Sequence, residues 1–120
     1  MWNRRDLKDT IKRLQAFQEA GADVLYAPGL SSSEDIAALV SSVDRPVNVV
    51  MGLVGVQLSL DELSKLGVRR VSVGSALMRA AVGAFQRAAE EMKTRGTFTF
   101  AETAANYGSL KDIFGGTSEN

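Results

Sequence analysis

Residues 68–73, Val-Arg-Arg-Val-Ser-Val, form a short run rich in β-branched side chains, with Gly67 before it and Gly74 after it. Two earlier runs have the same character, at residues 23–27 and 47–51. Each of the three is followed by a turn and then by a stretch that reads as a helix. Strands covered on both faces of a parallel sheet appear as nearly continuous apolar runs. The three runs therefore predict βα units laid into one parallel sheet.

Three such units are too few to close a sheet into a barrel. A closed barrel of eight βα units needs roughly 250 residues, whereas this chain has 120. A chain of this length is one domain with room for one core. The predicted fold class is therefore α/β, as a partial (β/α)8 barrel of three parallel strands with flanking helices, either completed by oligomerisation or truncated.

Two helices are predicted before the second strand. Apolar residues recur at three- and four-residue steps over residues 7–20, and Gly21 is where that helix should end. The serines at 31–33 can cap the free amides of a second helix, and two acidic residues follow them. Pro46 pushes the residue before it out of the α region, which ends that helix.

The second half of the chain is predicted to be mostly helical. Ser59 and Glu62 have the spacing of a capping box and predict a short helix. A long helix is expected over residues 75–95, with Gly96 as its end. Its inner face is expected to carry the apolar residues Leu77, Met78, Ala81, Phe85, Ala88, Ala89 and Met92.

The predicted elements divide the chain into two parts. Residues 1–96 carry the three βα units of a partial barrel, and residues 97–120 form a C-terminal helical tail. Two short helices are expected in the tail, capped near Thr99 and Ser109, with a frayed end from Gly115 onward.

Composition excludes several classes of function. Lys plus Arg equals Asp plus Glu, so the net charge is zero and there is no basic surplus for nucleic acid or for a membrane surface. The chain has no Cys and no His, which removes thiolate chemistry and the commonest proton-transfer side chain. It also has no signal-peptide pattern at its N-terminus and no apolar run long enough to span a bilayer. The default expectation is a cytoplasmic location.

Four stretches match a known family in order and spacing over about the first four-fifths of the chain. They are Ala-Gly-Ala-Asp at 20–23, Tyr-Ala-Pro-Gly-Leu at 26–30, Arg-Pro-Val-Asn-Val at 45–49, and Leu-Gly-Val-Arg-Arg-Val-Ser-Val-Gly at 66–74. In these stretches the chain resembles the C-terminal part of the phosphoenolpyruvate mutase/isocitrate lyase superfamily. The resemblance implies a TIM barrel of which this chain carries the sixth, seventh and eighth strands and the C-terminal helices.

The resemblance also implies which parts of the family's site are missing. Family members bind Mg²⁺ through carboxylates on earlier strands, carry a gating loop after the fourth strand and use an arginine on the fifth. All of these would precede Met1, so no catalytic residue and no metal ligand is expected in this chain. Many members have Glu or His near the end of the sixth strand, where this chain has Ala27 and Pro28. That difference argues against isocitrate-lyase chemistry.

Three residues are predicted to bind substrate, and the ligand expected is a small carboxylate. Asn48 interrupts an apolar strand, and a buried amide costs free energy unless it is hydrogen-bonded. In the family the matching Asn faces the substrate carboxylate region. Gly74 and Ser75 open the long helix directly after a strand, where free amides favour an anion. The alternatives are an Asn satisfied by backbone or water, and an ordinary strand-to-helix turn.

Three strands leave a face and two edges uncovered, which predicts a homo-oligomer. The side chains expected on the uncovered face are Val47, Val49, Val71 and Val73. Leaving each of them in water would forgo roughly 1.5–3 kcal/mol. Pairing of sheets or edges between copies would cover them. The resemblance adds that family members tend to exchange C-terminal helices between subunits, which the stretch 97–114 could do.

Three functional hypotheses follow from the sequence. The first is the C-terminal segment of a mutase- or lyase-type enzyme, inactive alone, whose parent reaction is the Mg²⁺-dependent cleavage or rearrangement of a C–C or C–P bond in a small 2-oxo acid. The second is a non-catalytic oligomeric binding or assembly module that reuses a partial barrel. The third is an active enzyme whose remaining strands come from another chain.

Overall fold

The computed structural model describes residues 6–115, which fall into two compact units, the first ending at Leu77 and the second beginning at Met78. The elements in chain order are α1 (Leu7–Glu19), β1 (Leu25–Tyr26), α2 (Ser33–Ser41), β2 (Val47–Val50), α3 (Leu60–Lys65), β3 (Arg70–Ser72), α4 (Ala76–Arg95), a 3₁₀ helix (Thr99–Thr103) and α5 (Tyr107–Phe114). The frayed end predicted from Gly115 onward lies outside the described residues, apart from Gly115 itself. The predicted boundary after residue 96 stays a prediction.

The three predicted strands form one parallel sheet in the order β1-β2-β3. Leu25 is opposite Val47 in the first pair of strands, and Val49 is opposite Val71 in the second. The strands are shorter than the apolar runs that predicted them, because pairing covers only two to four residues of each. The α/β class with three parallel strands and flanking helices is confirmed.

The hydrophobic core lies on one face of this sheet. Its buried members are Leu14, Leu25, Ala27, Ile36, Leu39, Val47, Val49, Met51, Leu63 and Val68, and Val71 packs against them. Side chains alternate between the two faces of a strand, so the odd-numbered residues of β2 and β3 face the helices.

The core corrects one prediction made from the sequence. Val47 and Val49 are each 1% exposed and lie under the helices, and Val71 joins them, whereas we expected them on the uncovered face. Val73 lies beyond the end of β3 and is 41% exposed. Val47, Val49 and Val71 are therefore not left in water, and the loss of hydrophobic free energy expected for them does not occur.

Local capping places the helices of the first unit. The Ser32 side chain accepts from the amide of Asp35 at the start of α2, as the serine-rich stretch predicted. Ser59 and Glu62 form the predicted capping box, with Glu62 Oε2 2.7 Å from the amide nitrogen of Ser59. Each side chain satisfies an amide that has no partner within the helix.

Two predictions for the second unit need correction. The stretch at Thr99 is a 3₁₀ helix whose N-cap, Phe98, makes no side-chain cap bond. The helix that follows is capped by Asn106, whose Oδ1 accepts from the amide of Ser109 at 2.8 Å. Ser109 is therefore the residue that the cap satisfies, three positions after the capping residue itself.

The long helix α4 exposes apolar side chains that we expected on an inner face. Leu77 and Phe85 are each 74% exposed, Met78 is 58% exposed and Met92 is 43% exposed. Within residues 6–115, no helix combines the length and apolar character needed to cross a bilayer.

Candidate functional site

Asn48 is a buried polar residue in the middle strand of the sheet. It is 4% exposed, and strand alternation places its side chain on the face opposite the hydrophobic core. Its Nδ2 donates to Ser72 Oγ at 3.1 Å. Its Oδ1 is buried and has no hydrogen-bond partner among the described residues. Buried polar atoms are almost always paired with protein or with ordered water, so this oxygen can accept from a donor other than the described residues.

Ser72 is a site residue that the sequence analysis missed. Its hydroxyl accepts from Asn48 and lies 3.4 Å from the carbonyl oxygen of Val49, a long contact for a hydroxyl donor. Ser72 stands opposite Val50 in the register, so it occupies the same face as Asn48. The sequence holds a signal for it: side chains alternate between the two faces along residues 68–73, and Ser72 is a small polar residue within this mostly apolar strand.

Tyr26 and Arg70 share a row with Asn48. Register places Tyr26 opposite Asn48 in β1 and Arg70 opposite it in β3. Tyr26 is 45% exposed and is absent from the core, so core packing does not explain it. Arg70 is exposed and stands in this row. The row is therefore a phenol, an amide and a guanidinium across three strands.

Gly74 and Ser75 form the turn between β3 and α4, and both are exposed. Gly74 has a φ of +49°, and a Cβ there would lie 3.8 Å from the side chain of Val50. Val50 is the next residue after Asn48 on the same face, so Val50 lies between Asn48 and Gly74. The structure thus places Gly74 beside a residue that shares a face of β2 with Asn48.

The loop after β2 closely approaches the start of α4. Gly52 has a φ of +78°, and a Cβ at this position would lie 2.6 Å from the Cβ of Ala76. Only glycine fits such a backbone conformation and such a short approach. This contact holds the loop that follows β2 against the start of α4, directly after the turn that contains Gly74.

Two shallow grooves lie elsewhere on the surface. One open groove follows α4 and is lined by residues 85–93, and another lies beside α3 and includes Leu63 and Arg70. Neither is lined by Asn48, Gly74 or Ser75. The candidate site is thus a buried polar position on a sheet face, separate from both of these grooves.

These residues do not fit a Mg²⁺ ion. Mg²⁺ is held in proteins by carboxylate oxygens together with water or phosphate, whereas the face around Asn48 offers a phenol, an amide, a guanidinium and a hydroxyl. Asp23 and Asp44 precede their strands and so belong to the opposite edge of the sheet. Within residues 6–115, no group of three or more His, Cys, Asp or Glu side chains could hold a metal ion.

The carboxylates whose pKa values are shifted accept hydrogen bonds at the ends of helices. Backbone and side-chain hydrogen bonds from Ser59 lower the pKa of Glu62, and similar bonds at the start of α2 lower that of Glu34. Hydrogen bonds from Thr99 and then Thr97 lower the pKa of Glu91 in the second unit. All three carboxylates are thus held in the ionised form, and their hydrogen bonds are structural.

Comparison with known proteins gives a consistent result for the fold. The family model described as phosphoenolpyruvate phosphomutase matches residues 1–93. A structure described as a "putative lyase/mutase from Burkholderia cenocepacia J2315" is 58% identical with a TM-score of 0.90, over 96% of this chain and 42% of that chain. A 2,3-dimethylmalate lyase of the PEP mutase/isocitrate lyase superfamily is 23% identical with a TM-score of 0.67, over 92% of this chain and 43% of that chain. This second likeness shows the fold alone.

A curated relative carries a different name. A phosphoribosyl imidazole-4-carboxamide isomerase of Shewanella piezotolerans is 38% identical over 73 residues, which are 54% of this chain and 29% of that protein. This chain thus spans 42% of the Burkholderia structure and 29% of the curated relative.

Proposed function

This chain belongs to the phosphoenolpyruvate phosphomutase family, as its sequence resemblance predicted, and we propose that it is the C-terminal segment of a cytoplasmic lyase- or mutase-type enzyme. The parent reaction is the cleavage or rearrangement of a C–C or C–P bond in a small 2-oxo acid. The segment is inactive alone and contributes Asn48, with Gly74 and Ser75, to the binding of the substrate. Its relatives are barrel-type members of a lyase superfamily, and it covers less than half of their chains.

One observation carries this proposal. Asn48 is buried on the sheet face opposite the core, and its Oδ1 has no partner among the described residues. A strand with no role beyond packing would be more stable with an apolar side chain there, since an unsatisfied buried acceptor costs about 1–3 kcal/mol. In a barrel this face is the interior, and the C-terminal edge of its strands carries the active site.

The electrostatics of the face agree with an anionic substrate. Arg70 is the register partner of Asn48 and the first residue of β3, so its positive charge lies at the amino end of this row. Guanidinium groups bind carboxylates and phosphonates through paired donors. Because the residues present do not fit Mg²⁺, the metal that the family implies would have to be held by other polypeptide.

The second part of the proposal is that the chain forms a homo-oligomer. Large apolar side chains remain exposed in the second unit: Met78, Val82, Phe85, Met92, Phe98, Tyr107, Ile113 and Phe114. Contact with a second copy would remove these side chains from water, which is favourable. Sedimentation should therefore give a dimer or a larger species, and a monomer at all concentrations would contradict this part.

The experiment that tests the activity is reconstitution. The chain is purified alone and, separately, co-expressed with the part of the Burkholderia cenocepacia relative that it does not cover. Both samples are assayed with Mg²⁺ and either oxaloacetate or phosphonopyruvate. We expect no turnover by the chain alone and turnover by the pair. Turnover by the chain alone would contradict the proposal.

Two variants make the reconstitution specific. Asn48→Ala should lower turnover by the pair at least tenfold, because it removes a group that contacts the substrate. Asn106→Ala is the matched control, since Asn106 caps α5 in the second unit. An equal loss in both variants would point to assembly rather than to the site.

A non-catalytic assembly module is the second candidate, and the exposed apolar side chains of the second unit favour it. The two functions differ in the reconstitution experiment. An assembly module would oligomerise normally and would give no turnover with any partner segment, whereas the enzyme segment gains activity.

A further inference from the structure

We propose that Phe98 is the anchor of a self-complementary interface, in which this side chain from one copy of the protein enters the groove along α4 of a second copy. The inference rests on the oligomeric part of the proposed function and deepens it, since it names the surfaces that join the copies. Both surfaces lie within the second unit.

A clasp formed by Glu91, Thr97 and Thr99 holds Phe98 in an exposed position. The hydroxyls of Thr97 and Thr99 both donate to Glu91 Oε1 at 2.8 Å, and the amide of Thr99 donates to the same oxygen at 2.6 Å. Glu91 is 7% exposed, whereas Phe98 is 65% exposed. The chain is therefore held on both sides of an aromatic side chain that remains in water.

The groove along α4 has the composition of a receptor for such a side chain. Its volume is about 470 Å³, and Phe85 and Ala89 supply apolar surface. The other residues that line it are polar or charged: Gln86, Arg87, Glu90 and Lys93. Protein–protein contacts combine apolar surface with a polar rim, and buried aromatic anchors dominate their affinity.

Helix geometry excludes the chain's own Phe98 as the occupant of its groove. Ala89 and Lys93 are four residues apart and share a face of α4, whereas Glu91 lies two residues from each of them. Residues two apart in a helix do not face each other. The clasp and the groove therefore lie on different sides of α4, and the anchor that enters the groove comes from another copy.

Charge complementarity favours this arrangement. Arg87 and Lys93 outweigh Glu90, so the residues that line the groove carry one net positive charge. Glu102 is the sole charged residue of the stretch 97–104 that contains the anchor. The net charge of the whole chain is zero, so two copies do not repel each other strongly. A contact in which each copy supplies both surfaces forms twice by symmetry and closes a dimer.

Sedimentation of the whole chain over a dilution series measures the dissociation constant of the dimer. Phe98→Ala should raise this constant by roughly tenfold or more, because both grooves lose their anchor. Phe17→Ala is the matched control, since Phe17 is 56% exposed on α1 of the first unit, and it should leave the constant unchanged. Glu91→Gln should raise the constant by about threefold, because a neutral side chain accepts hydrogen bonds less strongly than a carboxylate.

A charge exchange tests the groove as the receptor. Lys93→Glu and Glu102→Lys each bring like charges together and should each raise the dissociation constant by about threefold. The double variant restores opposite charges and should return the constant to within about twofold of the wild-type value. If Phe98→Ala loses helix content in its circular dichroism spectrum, this exchange decides the question without it.

The outcomes separate this inference from the proposed function. A Phe98→Ala chain that dimerises like the wild type, or an equal loss in Phe17→Ala, would overturn the anchor. An unchanged constant in Glu91→Gln would overturn the role of the clasp, and a double charge variant no tighter than the single variants would overturn the groove as receptor. In each case the wild-type oligomer stands. A wild-type chain that is monomeric at all concentrations would contradict the oligomeric part of the proposed function as well.

Discussion

The two units of this chain are stabilised in different ways. All ten buried apolar residues of the described chain lie in the first unit, which ends at Leu77. The described residue that is buried in the second unit is a carboxylate, Glu91. Eight of the fifteen exposed large apolar side chains also lie in the second unit, although it is the smaller of the two.

The difference shows that a segment can form regular helices without forming a hydrophobic core. The first unit has a sheet to collect apolar side chains from three helices. The second has regular helices, of which α5 has a side-chain cap, but a unit of only about 40 residues rarely buries enough surface to be stable alone. Its apolar side chains are therefore available to another surface.

The largest expected effect contrasts the two units directly. Leu39→Ala removes a fully buried side chain of the first unit and should lower the free energy of unfolding by about 2–5 kcal/mol. Phe85→Ala removes a larger side chain that is 74% exposed, and should change the free energy of unfolding by less than about 0.5 kcal/mol. Urea denaturation at low protein concentration measures both. A comparable loss for Phe85→Ala would show that the second unit has a core of its own.

The next effect isolates a close contact inside the first unit. Gly52→Ala should cost roughly 2–4 kcal/mol, because it combines a positive φ with a Cβ placed 2.6 Å from that of Ala76. Gly55→Ala has a similar φ of +81° and nothing within 4 Å, so it should cost only about 1–2 kcal/mol. Thermal denaturation of the two variants gives the difference. Equal costs would mean that the loop moves away from α4 without penalty.

Removal of one helix cap from each unit sharpens the comparison. Ser59→Ala should lower the free energy of unfolding by about 1 kcal/mol, since Leu63 of the same helix lies in the core. Asn106→Ala removes the cap of α5, where no residue is buried. It should reduce helix content, seen by circular dichroism, and leave the urea midpoint unchanged. A shifted midpoint for Asn106→Ala would indicate that α5 unfolds together with the core.

The smallest expected effect is a loss of local order in acid. Glu91 Oε1 accepts from the backbone amide of Thr99 at 2.6 Å, and from the hydroxyls of Thr99 and Thr97, each at 2.8 Å. These bonds hold the pKa of Glu91 below 4.5, with the Thr99 side chain as the largest cause. Because the pKa of Glu91 is lower in the folded chain than in the unfolded chain, its ionised form stabilises the fold. This stabilisation is complete above the unfolded-state pKa and is lost as pH falls through the folded-state pKa.

Protection of the Thr99 amide from hydrogen exchange measures this effect. It should be constant from neutral pH down to about 4.5, the ordinary glutamate value, and fall below it, after correction for intrinsic exchange. Glu91→Gln should lower the protection at neutral pH and remove its pH dependence. Glu90→Gln, at the adjacent exposed position, should keep the wild-type profile. A wild-type profile in Glu91→Gln would show that the threonine bonds do not order this segment.

Sequence patterns predicted the features that depend on neighbouring residues. The capping box at Ser59 and Glu62 follows from their spacing, and the parallel strands follow from three apolar runs separated by helices. Asn48 could be singled out because an amide in an apolar strand is costly. The cap of α5 is predicted near Ser109 and lies at Asn106, because both are good capping residues and the helix boundary decides between them.

The sequence by itself determined that this chain makes three βα units of an α/β fold, with one polar residue in the central strand. Alternation also required Val47 and Val49 to share a face of β2, with Asn48 on the other, but it left open which face meets the helices. Tertiary structure decided that, because the helices of the first unit cover only one side of the sheet. It also decided that Ser72 is the partner of Asn48, since their contact spans 24 residues of sequence and depends on the register between two strands.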